Sequence, residues 1–377
     1  MSPRFVLALV LLVLVRAGGF SSIVAVVWFR DVYSAGGAAL VLSAFGVGTV
    51  VFPALAGLLV RARTLTPVLA FAMAVNGVLM LLLPAAVGGP LAITVVLMLL
   101  VGAMSGASRS LLGTLITFAS SGSGQTRVQS TIAWAANLGA AAASAIAGLV
   151  TATSQQYGML FAVEGVILLA VAPIALALGP AAVPNLGAWR TLRLGDVRVL
   201  GCALAVGIGA TALMQGLGTA FALLTRHPEA FVSAALLNGV LILVLQPMAV
   251  RLLRDDRATA YLVGGSLAGV VTALAAALTD SWVVLGVGWT VAELLLSAGM
   301  VPTILARTPH RLHVAAIGVV GSSWGLSAAA LPVLVVSSSA LAGPAAGWSL
   351  LVGAGLALVV GVSLPSRRAA SVLESER

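Results

Sequence analysis

Long apolar stretches alternate with short polar breaks along the whole chain. Twelve stretches stand out: 5–29, 37–60, 67–87, 91–119, 128–151, 157–179, 199–224, 231–253, 259–279, 282–306, 314–338 and 347–365. Crossing a bilayer takes ~20 residues at ~1.5 Å rise each, and each stretch is of that order. The breaks carry turn formers, such as Gly88-Gly89-Pro90, Ser120 to Thr126 and Gly343-Pro344. The longest break, Pro180 to Arg198, separates two groups of six. The pattern predicts an all-α integral membrane protein with an N-terminal six-helix bundle (1–179), a linker (180–198) and a C-terminal bundle with a short tail (199–377). Within the linker, Leu186 to Val197 reads as a short amphipathic piece lying on the membrane surface. A faint repeat supports two six-helix pseudo-repeats. The basic segment Gly57 to Arg63 follows the second stretch, and Val250 to Arg257 follows the eighth, at the same place in each half.

Charge then assigns sides. Every basic residue is Arg, 19 in all, and none forms a run of the kind that binds nucleic acid. With the N-terminus inside, the cytoplasmic segments carry Arg4, Arg61, Arg63, Arg127, Arg190, Arg193, Arg198, Arg251, Arg254, Arg257, Arg307, Arg311, Arg367, Arg368 and Arg377. The opposite loops carry Arg30 and Arg226 only. The positive-inside rule then places both termini in the cytoplasm of a cell (inner) membrane protein. Composition adds an exclusion. With 8% charged residues and a mean hydropathy of +1.16, the chain is far from the ~25% charged content of soluble domains. Cys202 is the sole cysteine, and His227, His310 and His313 fall in loops, so no disulfide, metal or cofactor site is expected. No nucleophile–His–carboxylate set falls in a span, so the chain is not read as an enzyme. Arg4 before the first apolar stretch is similar to a signal peptide; without a small-residue cleavage site it reads as an uncleaved first helix.

Four ionisable residues break the apolar spans: Arg16, Arg109, Glu164 and Glu293. A charge at the bilayer centre costs at least ~2.5–3.5 kcal/mol, so all four are expected to face a polar interior between the halves. Arg16 is read as a cavity cation that holds solute or a carboxylate, or as the structural partner of Glu164. Glu293 is the candidate proton site, with Trp289 one turn away on the same helix face. Glu164 is read as a second proton-coupling candidate or as the partner of Arg16 or Arg109. Asn137, Gln215 and Asn238 are the preferred neutral cavity-lining residues, and Trp134, Trp289 and Trp324 are aromatic candidates for contact with an amphipathic solute.

Four stretches resemble the major facilitator superfamily, in particular its bacterial twelve-helix drug:proton antiporter-like members. They are Arg16-Ala-Gly-Gly-Phe20 with Trp28 to Asp31, Arg109-Ser-Leu-Leu-Gly113, Leu237 to Pro247, and Trp289 to Glu293 with Pro302 and Ser323 to Leu326. The resemblance implies alternating access and a site between the halves. It implies proton-coupled efflux of a small amphipathic molecule, or alternatively uptake of an organic anion or nutrient, by a monomer in the bilayer. A non-transporting sensor or partner-binding subunit is the reading from another class. By the same resemblance Arg109 is a proton-coupling residue, and Gly57, Arg61, Arg63, Arg254, Asp255, Asp256 and Arg257 form the gating loops. The sequence departs from the family pattern in two places. The acidic residue of the first gating loop is absent after Gly57, and Ala143-Ser144 stands where the antiporter signature has Gly-Pro.

Overall fold

The computed structural model describes residues 3–17, 21–59, 65–119, 125–153, 156–179, 194–225, 230–252, 254–309 and 312–363. Among them every regular element is helical. In chain order these are α1 (Pro3–Ala17), α2 (Ser21–Leu59), α3 (Leu65–Ala86), α4 (Leu91–Ala119), α5 (Gln125–Thr153) and α6 (Tyr157–Ala177). They continue as α7 (Leu194–Leu224), α8 (Ala230–Leu252), α9 (Ala258–Thr279), α10 (Trp282–Ala306), α11 (His313–Ala342) and α12 (Pro344–Ser363), with a 3-10 turn at Asp255–Arg257 before α9. Eleven of these helices are long and apolar enough to cross a membrane.

One boundary differs from the sequence expectation. The first apolar stretch is divided between α1 and the start of α2, and the remainder of α2 is the second stretch. The chain turns between the two stretches at a single residue, Ser34, with φ 70° and ψ 173°. That left-handed φ is uncommon for a residue with a Cβ. The expected linker, with Arg190 and Arg193, lies largely outside the described residues, as do Arg61 and Arg63 of the first expected gating loop.

The packing repeats with a step of six helices. α1 lies on α5, α2 on α4, α3 on α6; correspondingly α7 lies on α11, α8 on α10, α9 on α12. The halves meet along two seams, α2 against α11 and α5 against α8. Small residues set the close approaches, as is usual where lipid supplies no hydrophobic drive between helices. A Cβ at Gly77 would stand 2.8 Å from the Gly165 carbonyl oxygen, and one at Gly165 2.7 Å from that of Gly77, so α3 and α6 touch backbone to backbone.

Contacts mark one end of the bundle. The Tyr33 hydroxyl pairs with Thr94 Oγ1 at 2.8 Å and accepts from the Gly88 amide at 3.0 Å. Arg30 Nη1 donates to the Ala222 carbonyl at 2.8 Å and to the Thr225 carbonyl at 3.3 Å, and Thr225 donates to Asp280. At the other end, Arg4 lies beside Gly179, and Arg307 donates to the Val362 carbonyl at 2.8 Å.

Candidate functional site

The four intramembrane charges come from α1, α4, α6 and α10. α1 is carried close to α5 by Gly139, where a Cβ would stand 2.5 Å from Arg16 Cβ and 2.6 Å from the Val13 carbonyl oxygen. Arg16 is half-buried there, and its charge interacts across the boundary between the halves with that of Glu293 on α10. Arg16 also repels Arg109, and Arg109 is attracted to Glu164. The four groups therefore form one electrostatic chain, Glu164–Arg109–Arg16–Glu293, crossing from one half to the other. Arg109 is steadied locally by a hydrogen bond of 3.2 Å to Ser105 Oγ, one turn earlier on α4. Glu164 is buried, at 7% exposure.

Glu293 is held by neutral partners in its own half. Asn238 Nδ2 donates to Glu293 Oε2 at 3.1 Å. Thr290 Oγ1 lies 2.9 Å from Asn238 Oδ1 and 2.7 Å from the Gly286 carbonyl oxygen. Thr290 escaped the sequence reading, although it sits one turn before Glu293; a hydroxyl at that spacing is the signal that could have found it. Ser105 before Arg109 is the same case.

The other expected lining residues are spread over several surroundings. Asn137 Nδ2 donates to Gln246 Oε1 at 3.1 Å, so it bridges α5 and α8 across the seam. Gln215 Nε2 donates to the Trp324 carbonyl at 3.0 Å and ties α7 to α11 within the C-terminal half. Trp289 does not present its indole N–H to a cavity: Nε1 donates to the Met214 carbonyl at 2.7 Å, and the ring stacks on Phe231 at 6.2 Å between centroids. Trp134 is exposed at 37% and Trp324 is half-buried. Of the segments expected to gate, Gly57 lies in the last turn of α2, and Asp255 to Arg257 form the 3-10 turn. There Arg254 Nε pairs with Asp256 Oδ1 at 3.1 Å, with both side chains mostly in solvent. No group of three or more potential metal ligands occurs among the described residues.

Comparison with known proteins agrees with this geometry at the level of fold. The chain is similar to the crystal structure of a point mutant of the nucleoside transporter NupG, with a TM-score of 0.69 over 95% of this chain and 98% of that one, at 12% sequence identity. At that identity the likeness is one of fold: the chain shares the all-helical architecture of that transporter over nearly its whole length. No family model matches the sequence, and no curated protein matches it.

Proposed function

We propose that this protein is a proton-coupled secondary transporter of a small organic molecule, working by alternating access. The observation that carries the reading is the set of four charges within the bundle, in which Arg16 of one half and Glu293 of the other act on each other electrostatically. In a bundle of two halves that rock about a central site, such a pair is remade each time the site changes sides. With both carboxyls ionised, two arginines and two glutamates balance. Protonating Glu293 removes the counter-charge that acts on Arg16 and leaves its cation to attract a solute oxygen. Intramembrane ionisable groups mark ion and solute pathways by default.

Two couplings follow from this chemistry. A solute that takes the place of the proton on Glu293 exchanges with protons, which makes the protein an exporter of amphipathic molecules; the sequence resemblance to drug:proton antiporter-like members favours this direction. A solute that binds Arg16 once Glu293 is protonated moves with protons, which makes it an uptake system. The likeness to a nucleoside transporter favours that second direction. We read both termini as cytoplasmic, so cysteines placed at Gly89 and Asp256 in a Cys202→Ser background are expected to label from opposite sides.

The test is proton movement in vesicles reconstituted with the full chain. Labelled uridine and a lipophilic dye are offered in turn, and the internal pH is followed. Uphill flux of either probe, coupled to proton movement with it or against it, supports the reading and gives the direction. Downhill-only flux that ignores an imposed pH gradient would remove proton coupling.

A further inference from the structure

The hydrogen bonds around Glu293 contain a competition. The Thr290 hydroxyl has one proton but two acceptors within reach, Asn238 Oδ1 at 2.9 Å and the Gly286 carbonyl at 2.7 Å. Asn238 is 7% exposed and Thr290 1% exposed, so water does not relieve the conflict cheaply. When Glu293 is a carboxylate, it only accepts. Asn238 Nδ2 then donates to Glu293 Oε2, Asn238 Oδ1 is turned toward Thr290, and the Thr290 proton points at Asn238.

A protonated Glu293 carries a donor, and the same heavy atoms satisfy it after a half-turn of one amide. Glu293 O–H then donates to Asn238 Oδ1, Asn238 Nδ2 donates to Thr290 Oγ1, and the Thr290 proton swings to Gly286 O, which is already in place. The Glu293–Asn238 and Asn238–Thr290 contacts are thus kept in both states, with donor and acceptor exchanged. The relay itself exchanges no proton with Glu293; the proton arrives from and returns to the aqueous side.

We propose that Asn238 and Thr290 are positioning residues that read the protonation state of Glu293 by reversing the direction of a hydrogen-bond relay running from α10 to α8 and back. This rests on the reading of Glu293 as the proton site. The relay fastens α10 to α8, and α8 is one of the two seam helices. A change of protonation is therefore passed to the boundary between the halves with both contacts kept. Arg16 on α1 is the charged group whose field reaches Glu293 from the other half. The middle turns of α5, α7, α8, α9 and α11, which pack around it, carry no ionisable side chain. Arg16 thus senses the charge on Glu293 and the relay senses its hydrogen.

Infrared difference spectra between acid and alkaline pH test this without a known solute. The probe is the full chain in phosphatidylcholine vesicles, and the carboxyl band lost in Glu293→Gln identifies Glu293. Thr290→Val, which keeps the shape and removes the hydroxyl, is expected to change that band's frequency and to move its midpoint by on the order of one pH unit. Asn238→Leu is expected to do the same, and Thr290→Ser to restore the wild-type band. If Thr290→Val does not fold, Thr290→Ala is read in the same way. An unchanged frequency and midpoint in the Thr290 variant overturns the relay while leaving Glu293 as the proton site. If no band disappears in Glu293→Gln, the proton-site reading falls and the relay with it.

Discussion

The two seams between the halves are built differently. Along α2–α11 the contact is backbone against backbone. A Cβ at Gly46 would collide with the Ala329 backbone, and one at Gly325 would stand 2.6 Å from Thr49 Oγ1. The Thr49 hydroxyl turns back onto its own helix, bonding to the Gly46 carbonyl at 2.7 Å. Along α5–α8 the backbones also approach, with Gly239 against Ala141, but a side-chain bond crosses as well, from Asn137 to Gln246. Beside it lie Gly139, which packs on Arg16, and Asn238, which holds Glu293. On the reading proposed here the first seam, close-packed and without a side-chain bond across it among the contacts described, would serve as a pivot. The second would be where a change of charge is felt. A bundle whose halves rock needs both: a close contact to turn about and a polar contact whose strength depends on state.

The largest way to break this contrast is at the pivot. Gly46→Val forces a branched side chain into the Ala329 backbone, and overpacking of that kind costs about 3 kcal/mol or more where neither partner can yield. The variant should lose thermal stability in detergent or fail to fold. Normal stability would show that α2 and α11 are not held this closely.

A smaller effect is expected at the polar seam. Asn137→Ala leaves Gln246, 4% exposed, without the donor from across the seam. An unpaired buried amide costs about 1–3 kcal/mol, and because this bond joins the halves, the loss should fall on transport rate more than on unfolding temperature. Equal loss in Asn137→Ala and in the within-half variant Gln215→Ala would erase the distinction drawn here.

At the bundle end, Arg30 on α2 donates to the last carbonyls of α7, again across the halves. A cation at a helix C-terminus contributes about 0.3–1 kcal/mol at exposed sites and up to ~2 kcal/mol when partly buried. Arg30→Ala should let this end open more often. A cysteine replacing the buried Ala222, in a Cys202→Ser background, should then label several-fold faster with a membrane-impermeant maleimide. Unchanged labelling would mean that Arg30 is an ornament of the end rather than a latch.

The smallest effect is the control. A Cβ at Gly148 would meet only Val232 Cγ1, at an ordinary 3.6 Å. Gly148→Ala in the α5–α8 seam should change stability by no more than about 0.5 kcal/mol, measured by the same thermal unfolding.

What the sequence made legible follows from where each signal originates. Membrane thickness acts on every span alike, so the apolar runs and their breaks announced the helices and the six-plus-six order. The division between the first two stretches was drawn differently because it hangs on one backbone residue, Ser34, which no periodicity marks. Arg16 and Glu293 could be singled out because charge in a span is costly, but that their charges act on each other depends on how the helices pack, as where α1 meets α5 at Gly139. Trp289 shows the opposite case. It shares a helical spacing with Glu293, yet its indole is spent on Met214, because a buried N–H takes the nearest free carbonyl. Thr290 was passed over because a lone hydroxyl in a helix commonly bonds its own backbone. Here its one proton has a second acceptor within reach, Asn238 Oδ1.

The central claim is that Glu293 carries the proton that drives transport. The direct measurement is uphill uptake or expulsion of the responsive probe by Glu293→Gln in vesicles with an imposed pH gradient, beside probe exchange with no gradient. The neutral amide stands in for the protonated acid, so the account predicts that pH-driven accumulation is abolished while exchange survives. Concentrative transport undiminished by Glu293→Gln would contradict it and pass the role to Glu164.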